Sequence, residues 1–416
     1  MQEIVLEEPY EFVPPVESDL WCWIVRLWLP GYVRKAFRVE SFEYRGVENL
    51  RGSLDAGHGI VLAANHSRLA DPMAAGMFAG KAGCELFAMA SWHLFKEAKW
   101  QRFLIRRMGA FSVYREGNDR ASVNQAIEIL EAGRRPLLIF PEGAVSRHND
   151  LMMELMDGPG FIARQASKRR KKAGKPPVVI HPLTIRYSFD GDGYDKVRPD
   201  VEALEKSFSW RPQSQLSMRD RLKKIGVALL TLKEIEYLGA AGEGDPHVRA
   251  RTLIGEKLAQ LEKKWGLADD AETGVEASNV VRRVKQVRTR VLPDLIEQKC
   301  TPEDREDRWH DLAACYYLQQ IAHYPKGYLT GENDLPERVL ETLERMIEDY
   351  QDAASYHGPL HCTMVCGEAI EAPDTRERGA DGDPVMRRVA DELQSTLDAL
   401  VAERRAKLFG ATDEHG

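Results

Sequence analysis

The sequence predicts an α/β protein: a central mixed sheet covered by helices, with a large, mostly helical C-terminal region or insertion. Three observations predict it. Short apolar runs bounded by turn residues recur at 59–64, 136–140 and 178–187, as buried strands do. Helical patterns lie between them, and strands alternating with helices build a sheet with covered faces. After about residue 195 the strand signal fades into long charged helical patterns that run to about 360.

In chain order, residues 1–17 are acidic, contain proline and read as irregular. The run Leu20-Trp21-Cys22-Trp23-Ile24-Val25-Arg26-Leu27-Trp28-Leu29-Pro30 is dense in tryptophan and is followed by Arg34 and Lys35. It reads either as a helix packed on the core or as an interfacial element. Tryptophan settles at the headgroup level of a membrane, and flanking cations suit anionic lipid. Residues 1–40 therefore form an N-terminal segment, and 41–194 the α/β core. Asp71-Pro72 reads as a helix start with Asp at the N-cap. Asp119–Glu131 reads as an amphipathic helix with Val123, Ala126, Ile127 and Leu130 on one stripe.

The basic run Lys168-Arg169-Arg170-Lys171-Lys172-Ala173-Gly174-Lys175, with Arg164 ahead of it, reads as a solvated loop or as a feature drawn to anionic lipid. Helical patterns follow at Met218–Leu238, Pro246–Trp265, Val275–Lys299, Arg305–Tyr324 and Pro336–Tyr350. The cations Arg282, Arg283, Lys285, Arg288 and Arg290 read as a wet helix face. A strand-like run returns at Cys362–Ile370 and a final helix at Pro384–Lys407. In this reading 195–360 is a helical region or insertion, and 361–416 holds a returning strand and a C-terminal helix.

Composition narrows the function. The chain has 416 residues, enough for two domains or for one with a large insertion. A hydrophobic share of 43% beside 30% charged residues is that of a soluble globular protein. The net charge of −7 gives no reason to expect nucleic acid as a partner. The six cysteines are scattered, which suits a reducing compartment rather than a disulfide framework. The acidic start lacks the basic region of a signal peptide, and no apolar run approaches the ~20 residues of a membrane span. The expectation is a cytoplasmic protein, peripheral on the inner face of a membrane. His357, His361, Cys362 and Cys366 match no standard zinc spacing, so no metal is expected.

The chemistry is concentrated in two motifs. In Asn65-His66-Ser67-Arg68-Leu69-Ala70-Asp71 a histidine ends an apolar run and a carboxylate follows five residues on. An imidazole oriented by a carboxylate is a general base near neutral pH. Alone the spacing says little, because chance supplies roughly 0.7 such pairs in a chain of this composition. Phe140-Pro141-Glu142-Gly143 decides the matter, since only ~0.005 occurrences are expected by chance. It follows a strand and makes a tight turn whose backbone can approach a ligand closely.

Two more blocks lie in order with these. Gly109-Ala110-Phe111-Ser112-Val113-Tyr114-Arg115 is similar to a block that ends in a substrate-binding arginine. Val178-Val179-Ile180-His181-Pro182-Leu183-Thr184-Ile185 is similar to an apolar strand interrupted by proline. With these four blocks across residues 60–187, the chain resembles the lysophospholipid and glycerol-phosphate acyltransferase superfamily.

The resemblance implies a fatty acyl group passing from acyl-CoA or acyl-carrier protein to a hydroxyl of a lysophospholipid, foremost 1-acylglycerol-3-phosphate. Glycerol 3-phosphate and other lysolipids are alternative acceptors, and a non-catalytic lipid-binding scaffold is the alternative of another class. His66 would be the base and Asp71 its orienter, with Arg115 on the acceptor phosphate and Glu142 and Gly143 on the acceptor. Asn65, Ser67, Arg68, Ser146, Arg147 and Pro182 complete the substrate-binding set. No cofactor is implied, the acyl donor being a co-substrate. The family usually continues Phe-Pro-Glu-Gly with Thr-Arg-Ser, whereas this chain has Ala144-Val145-Ser146-Arg147. Gly367-Glu368-Ala369-Ile370 resembles the Gly-Glu-Pro-Ile strand that closes such domains, with Ala369 where proline is usual.

Overall fold

The computed structural model describes residues 6–410 except 118, 268–273, 332 and 376–381. The chain divides into two units, Glu11–Asp190 with His357–Gly416, and Met1–Tyr10 with Gly191–Tyr356.

The first unit holds the sheet. Its strands are β1 (Val39–Arg45), β2 (Gly59–Ala64), β3 (Phe87–Ser91), β4 (Ala110–Val113), β5 (Leu137–Ile139), β6 (Val178–Ser188), β7 (Leu360–Cys366) and β8 (Ile370–Glu371). They lie in the order β1-β7-β6-β2-β5-β3-β4, with β8 also on β6. The run β6-β2-β5-β3-β4 is parallel throughout, and β7 and β8 join β6 antiparallel, so the sheet is mixed. β7 and β8 bring the chain back to the sheet after residue 356, with the turn at Gly367-Glu368-Ala369 between them.

All six residues of β2 are buried, as expected of a parallel strand covered on both faces. Val61 and Ala63 share a core with residues of α5 (Arg120–Ala132), α6 (Gly158–Lys172) and α13 (Pro384–Phe409). Ile60, Leu62 and Ala64 point the other way and are equally buried. That side carries α1 (Asp19–Phe37), α2 (Val47–Asp55) and α3 (Asp71–Ala82), which touch β1, β7 and β6 respectively. A nine-residue helix, α4 (Lys99–Arg107), links β3 to β4 and buries none of its residues.

Three readings need correction. Asp71 is not an N-cap: Ala70 holds that position, Asp71 is the first helical residue, and its carboxylate bonds elsewhere. The basic run is not a loop but the last turns of α6, where cations complement the helix dipole. Two of its arginines are buried: Arg164 pairs with Asp383, and Arg170 caps the carbonyls of Pro176, Leu130, Glu131 and Gly57. The 282–290 cluster is not wholly wet, because Arg283 is 3% exposed and grips Glu262 through Nε and Nη2 at 2.6 and 2.8 Å.

The second unit is helical: α7 (Gly193–Ser207), α8 (Met218–Leu238), α9 (Pro246–Lys264), α10 (Ala277–Ile296), α11 (Pro302–Ile321) and α12 (Pro336–Gln351). An aliphatic core of α8 to α11 holds it together. Buried bidentate pairs, Arg221 on Glu205 and Arg249 on Glu234, fix the register of neighbouring helices. Among the described residues, no helix is long and apolar enough to cross a membrane.

Candidate active site

Parallel strands end on one side of the sheet, and the loops beyond those ends collect side chains. His66 follows β2, Glu142 follows β5, His93 follows β3 and Arg115 follows β4. In a parallel sheet these four positions share one edge. With strands ~4.8 Å apart, the β4 end lies about 14 Å across the sheet from the β2 end.

The chain turns at once after β2, and α3 starts at Asp71 with Pro72 in its first turn. This turn brings His66 Nδ1 within 2.9 Å of Asp71 Oδ2. The same oxygen accepts the Arg68 backbone N–H at 2.8 Å, and Oδ1 accepts the Tyr187 hydroxyl at 2.6 Å. Asp71 is completely buried, and these three donors satisfy its carboxylate there. The imidazole stacks on Phe140 with ring centroids 4.0 Å apart. Its side chain keeps 11% exposure, and among the described residues nothing hydrogen-bonds Nε2.

The second motif supports the first through its backbone. Glu142 Oε1 accepts the His66 N–H at 2.6 Å, and Oε2 accepts the Met153 N–H at 2.9 Å. Burial pushes the Glu142 carboxyl up to about 7, against the lowering effect of those two donors. Gly143 has φ +72°, a left-handed conformation that glycine adopts without strain. The Ser146 N–H donates to the His66 carbonyl at 2.7 Å, so both backbone groups of the histidine are held by the loop after β5.

The other expected site residues divide. Asn65 follows β2 directly, and its side-chain amide exchanges both hydrogen bonds with the Ile185 backbone of β6, at 2.9 and 2.7 Å. Pro182 is buried in β6 opposite Ala63. Arg68 is 3% exposed with its guanidinium 5.6 Å above the Tyr187 ring. Ser67 is buried, and its hydroxyl has no hydrogen-bond partner among the described residues. Ser146 is buried and bonds with His148, while Arg147 is half-buried with φ +59°. Arg115 is exposed beyond β4. There it helps burial to push the nearby His93 down to about 4.

Sequence reasoning missed Tyr187 and Asn149. Asn149 holds the Tyr187 backbone, its Oδ1 accepting the N–H at 2.7 Å and its Nδ2 donating to the carbonyl. A buried tyrosine five residues past Pro182 is the only signal the sequence offered. Cys362 and Cys366 lie in the core on β7, and the His361 Nδ1 meets the Ser41 hydroxyl. Among the described residues, no group of three or more His, Cys, Asp or Glu side chains is placed to hold a metal.

A buried carboxylate aimed at an imidazole, at the end of a parallel sheet, is an arrangement chemically able to accept a proton from a hydroxyl. Residues 41–186 match the model of the Acyltransferase family. That stretch is an acyltransferase-family domain of the glycerolipid acyltransferase superfamily, and the protein is an acyltransferase. Neither a curated protein nor a solved structure matches the chain.

Proposed function

We propose that the protein transfers a fatty acyl group from acyl-CoA or acyl-carrier protein to a hydroxyl of a lysophospholipid, 1-acylglycerol-3-phosphate first among them. The observation that carries this reading is the 2.9 Å contact of His66 Nδ1 with Asp71, on an imidazole whose other nitrogen has no protein partner among the described residues. Nδ1–H donates to the carboxylate, so Nε2 is the basic nitrogen. Nε2 takes the proton of the acceptor hydroxyl as its oxygen attacks the thioester carbonyl. The tetrahedral intermediate collapses, the C–S bond breaks, and the imidazolium returns its proton to the departing thiolate. No enzyme nucleophile is needed.

Arg115 supplies a cation for the acceptor phosphate, a task suited to a guanidinium. Gly143 lets the chain turn closely after Glu142. Leu69, Leu151 and Met156 are apolar and more than a third exposed, and they lie in the loops that follow His66 and Glu142. They offer a fatty chain an apolar path beside the base.

The acceptor and donor are amphiphiles, which suits work at an anionic membrane surface. Helix α1 supports this with two apolar faces. Cys22, Val25, Leu29 and Val33 are buried, while Leu20, Trp23 and Leu27 are 57–67% exposed on the opposite side. Trp21 meets Phe103 of α4 edge to face at 5.2 Å, and α4 adds Trp100, 69% exposed, among Lys99, Arg102, Arg106 and Arg107. Aromatic side chains interleaved with cations fit the headgroup region of anionic lipid.

The test is mass spectrometry of the lipids formed when the purified protein meets acyl-CoA or acyl-carrier protein and a panel of acceptors. The panel is 1-acylglycerol-3-phosphate, glycerol 3-phosphate, and lysolipids with other head groups. Acylation of the first leads if the reading is right. The replacement of Thr-Arg-Ser by Ala144-Val145-Ser146 makes another phosphate-bearing acceptor the informative second outcome. No transfer to any of them rejects the substrate assignment.

A further inference from the structure

We propose that Tyr187 is a positioning residue for acyl transfer, and that the end of β6 is built to hold its hydroxyl on Asp71. The inference rests on the reading of His66 and Asp71 as the reacting pair.

The argument begins with strand lengths. β2 ends at Ala64, opposite Leu183, but β6 runs on to Ser188. The overhang passes beyond the sheet edge where His66 and Asp71 sit. On that side it has no neighbouring strand, and exposed ladder groups in a buried position need partners. Two asparagines supply them. The Asn65 amide takes the N–H and C=O of Ile185, and the Asn149 amide takes those of Tyr187. Alternate residues of a strand offer both backbone groups to the same side, so asparagines serving 185 and 187 imitate a missing strand. On the other side β7 pairs with Leu183–Ser188 and sets Cys362 opposite Tyr187. The residue is thus clamped along both edges, at a point no neighbouring β-strand reaches from the β2 side.

The clamp places one functional group. Tyr187 is completely buried, with Arg68 over its ring, and its hydroxyl donates to Asp71 Oδ1 at 2.6 Å. Asp71 then has separate duties for its oxygens: Oδ1 receives Tyr187, and Oδ2 receives His66 Nδ1 and the Arg68 N–H. A carboxylate anchored at one oxygen cannot rotate the other away from the imidazole. The titratable and charged groups around it are His66, Arg68, Tyr187, Cys362 and, behind the histidine backbone, Glu142. Removing the hydroxyl has two consequences. The carboxylate is less fixed, so proton transfer at Nε2 slows. It also has one donor fewer, so it holds a protonated imidazole more tightly.

The experiment compares full-length wild type, Tyr187→Phe and His66→Ala, with palmitoyl-CoA as donor and 1-palmitoylglycerol-3-phosphate or the best acceptor of the panel. Released thiol is followed from pH 5 to 9. For Tyr187→Phe we expect kcat to fall about ten- to a hundredfold, the range a small misplacement of a catalytic group produces. Both KM values stay within twofold, and the acidic limb of the kcat/KM profile moves to higher pH. A protein carrying 3,5-difluorotyrosine at 187 keeps the ring and donates more strongly, so its limb moves to lower pH. That variant decides the matter if the phenylalanine form does not fold. Wild-type kcat in Tyr187→Phe, or a loss of kcat with an unmoved limb in both variants, overturns the proposal while an inactive His66→Ala leaves the underlying pair intact. Full activity in His66→Ala instead removes the pair, and the role of Tyr187 with it.

Discussion

Glu142 receives the backbone N–H of His66 on one carboxyl oxygen and that of Met153 on the other, at 2.6 and 2.9 Å. One buried side chain therefore fixes the His66 backbone and closes the loop that follows Gly143. The linkage sets a pH dependence. Burial pushes this carboxyl up to about 7, so its contribution to stability is whole below the unfolded value and is lost as pH rises through about 7. A shift of that size corresponds to roughly 3 kcal/mol between about pH 4 and pH 8. Glu142→Gln can accept only one of the two N–H groups. Urea unfolding at pH 5 should find it about 1–3 kcal/mol less stable than wild type, with the gap closing towards pH 8. Parallel stability curves for the two proteins would show that Glu142 does not titrate in this range.

The His66–Asp71 pair makes the sharpest kinetic demand. His66→Ala should lower kcat by about a thousandfold or more, and Asp71→Asn by a comparable factor, because the amide favours the wrong tautomer. Both proteins should retain their circular dichroism spectra. A folded Asp71→Asn enzyme with a normal rate would mean that the 2.9 Å contact is architectural.

Gly143 sits at φ +72°, and a β-carbon there would lie 2.7 Å from Met156 Cε. The methyl end of a methionine can move aside, so the cost of Gly143→Ala is mainly backbone strain, roughly 1–2 kcal/mol. Thermal unfolding should register a drop of that size. Activity should fall further than stability, because the turn adjoins the residue that holds His66. Unchanged melting and unchanged rate together would contradict the assigned turn.

The parts of this fold visible in the sequence are those where one physical signal dominates. β2, β5 and β6 are doubly covered, so they read as unbroken apolar runs, and α8 to α13 have long periodic patterns. β3 and β4 are brief, and β1 alternates apolar with charged residues on a half-buried edge, so none stands out. Helix α7 was hidden by Gly193 and Pro199. The His66–Asp71 contact was legible because five residues and a proline fix it locally. Tyr187 and Asn149 were not, since their roles depend on β6 outrunning β2, a difference in strand length that one chain's pattern does not reveal. Asn65 is beside His66 in sequence, and its amide is taken up by the Ile185 backbone, a pairing that depends on the same strand overhang.

Arg115 tests the identity of the acceptor. It is exposed beyond β4, on the same sheet edge as His66 and close enough to affect His93. Arg115→Ala should raise KM for a phosphate-bearing acceptor about tenfold or more, consistent with losing a charge-assisted contact of ~1.5–3 kcal/mol, with kcat little altered. Arg115→Lys should recover only part of the loss, since an ammonium lacks the bidentate fork. Equal KM values in all three proteins would move the phosphate to another cation.

The α1–α4 surface lets the proposed membrane attachment be tested apart from catalysis. Trp23 and Trp100 are 57% and 69% exposed, so replacing either should leave the melting temperature unchanged. If they enter the headgroup region, each buries part of an indole surface, worth about 1–2 kcal/mol, and each alanine variant should bind anionic vesicles about ten times more weakly. Sedimentation with phosphatidylglycerol–phosphatidylcholine vesicles measures this directly. Raising the salt to about 0.5 M should weaken wild-type binding by screening Lys99, Arg102, Arg106 and Arg107, yet leave the tryptophan effect in place. Turnover of a soluble short-chain donor and acceptor should not change in either variant. Vesicle binding that is insensitive to both tryptophans would assign the exposed face of α1 and α4 to something other than lipid.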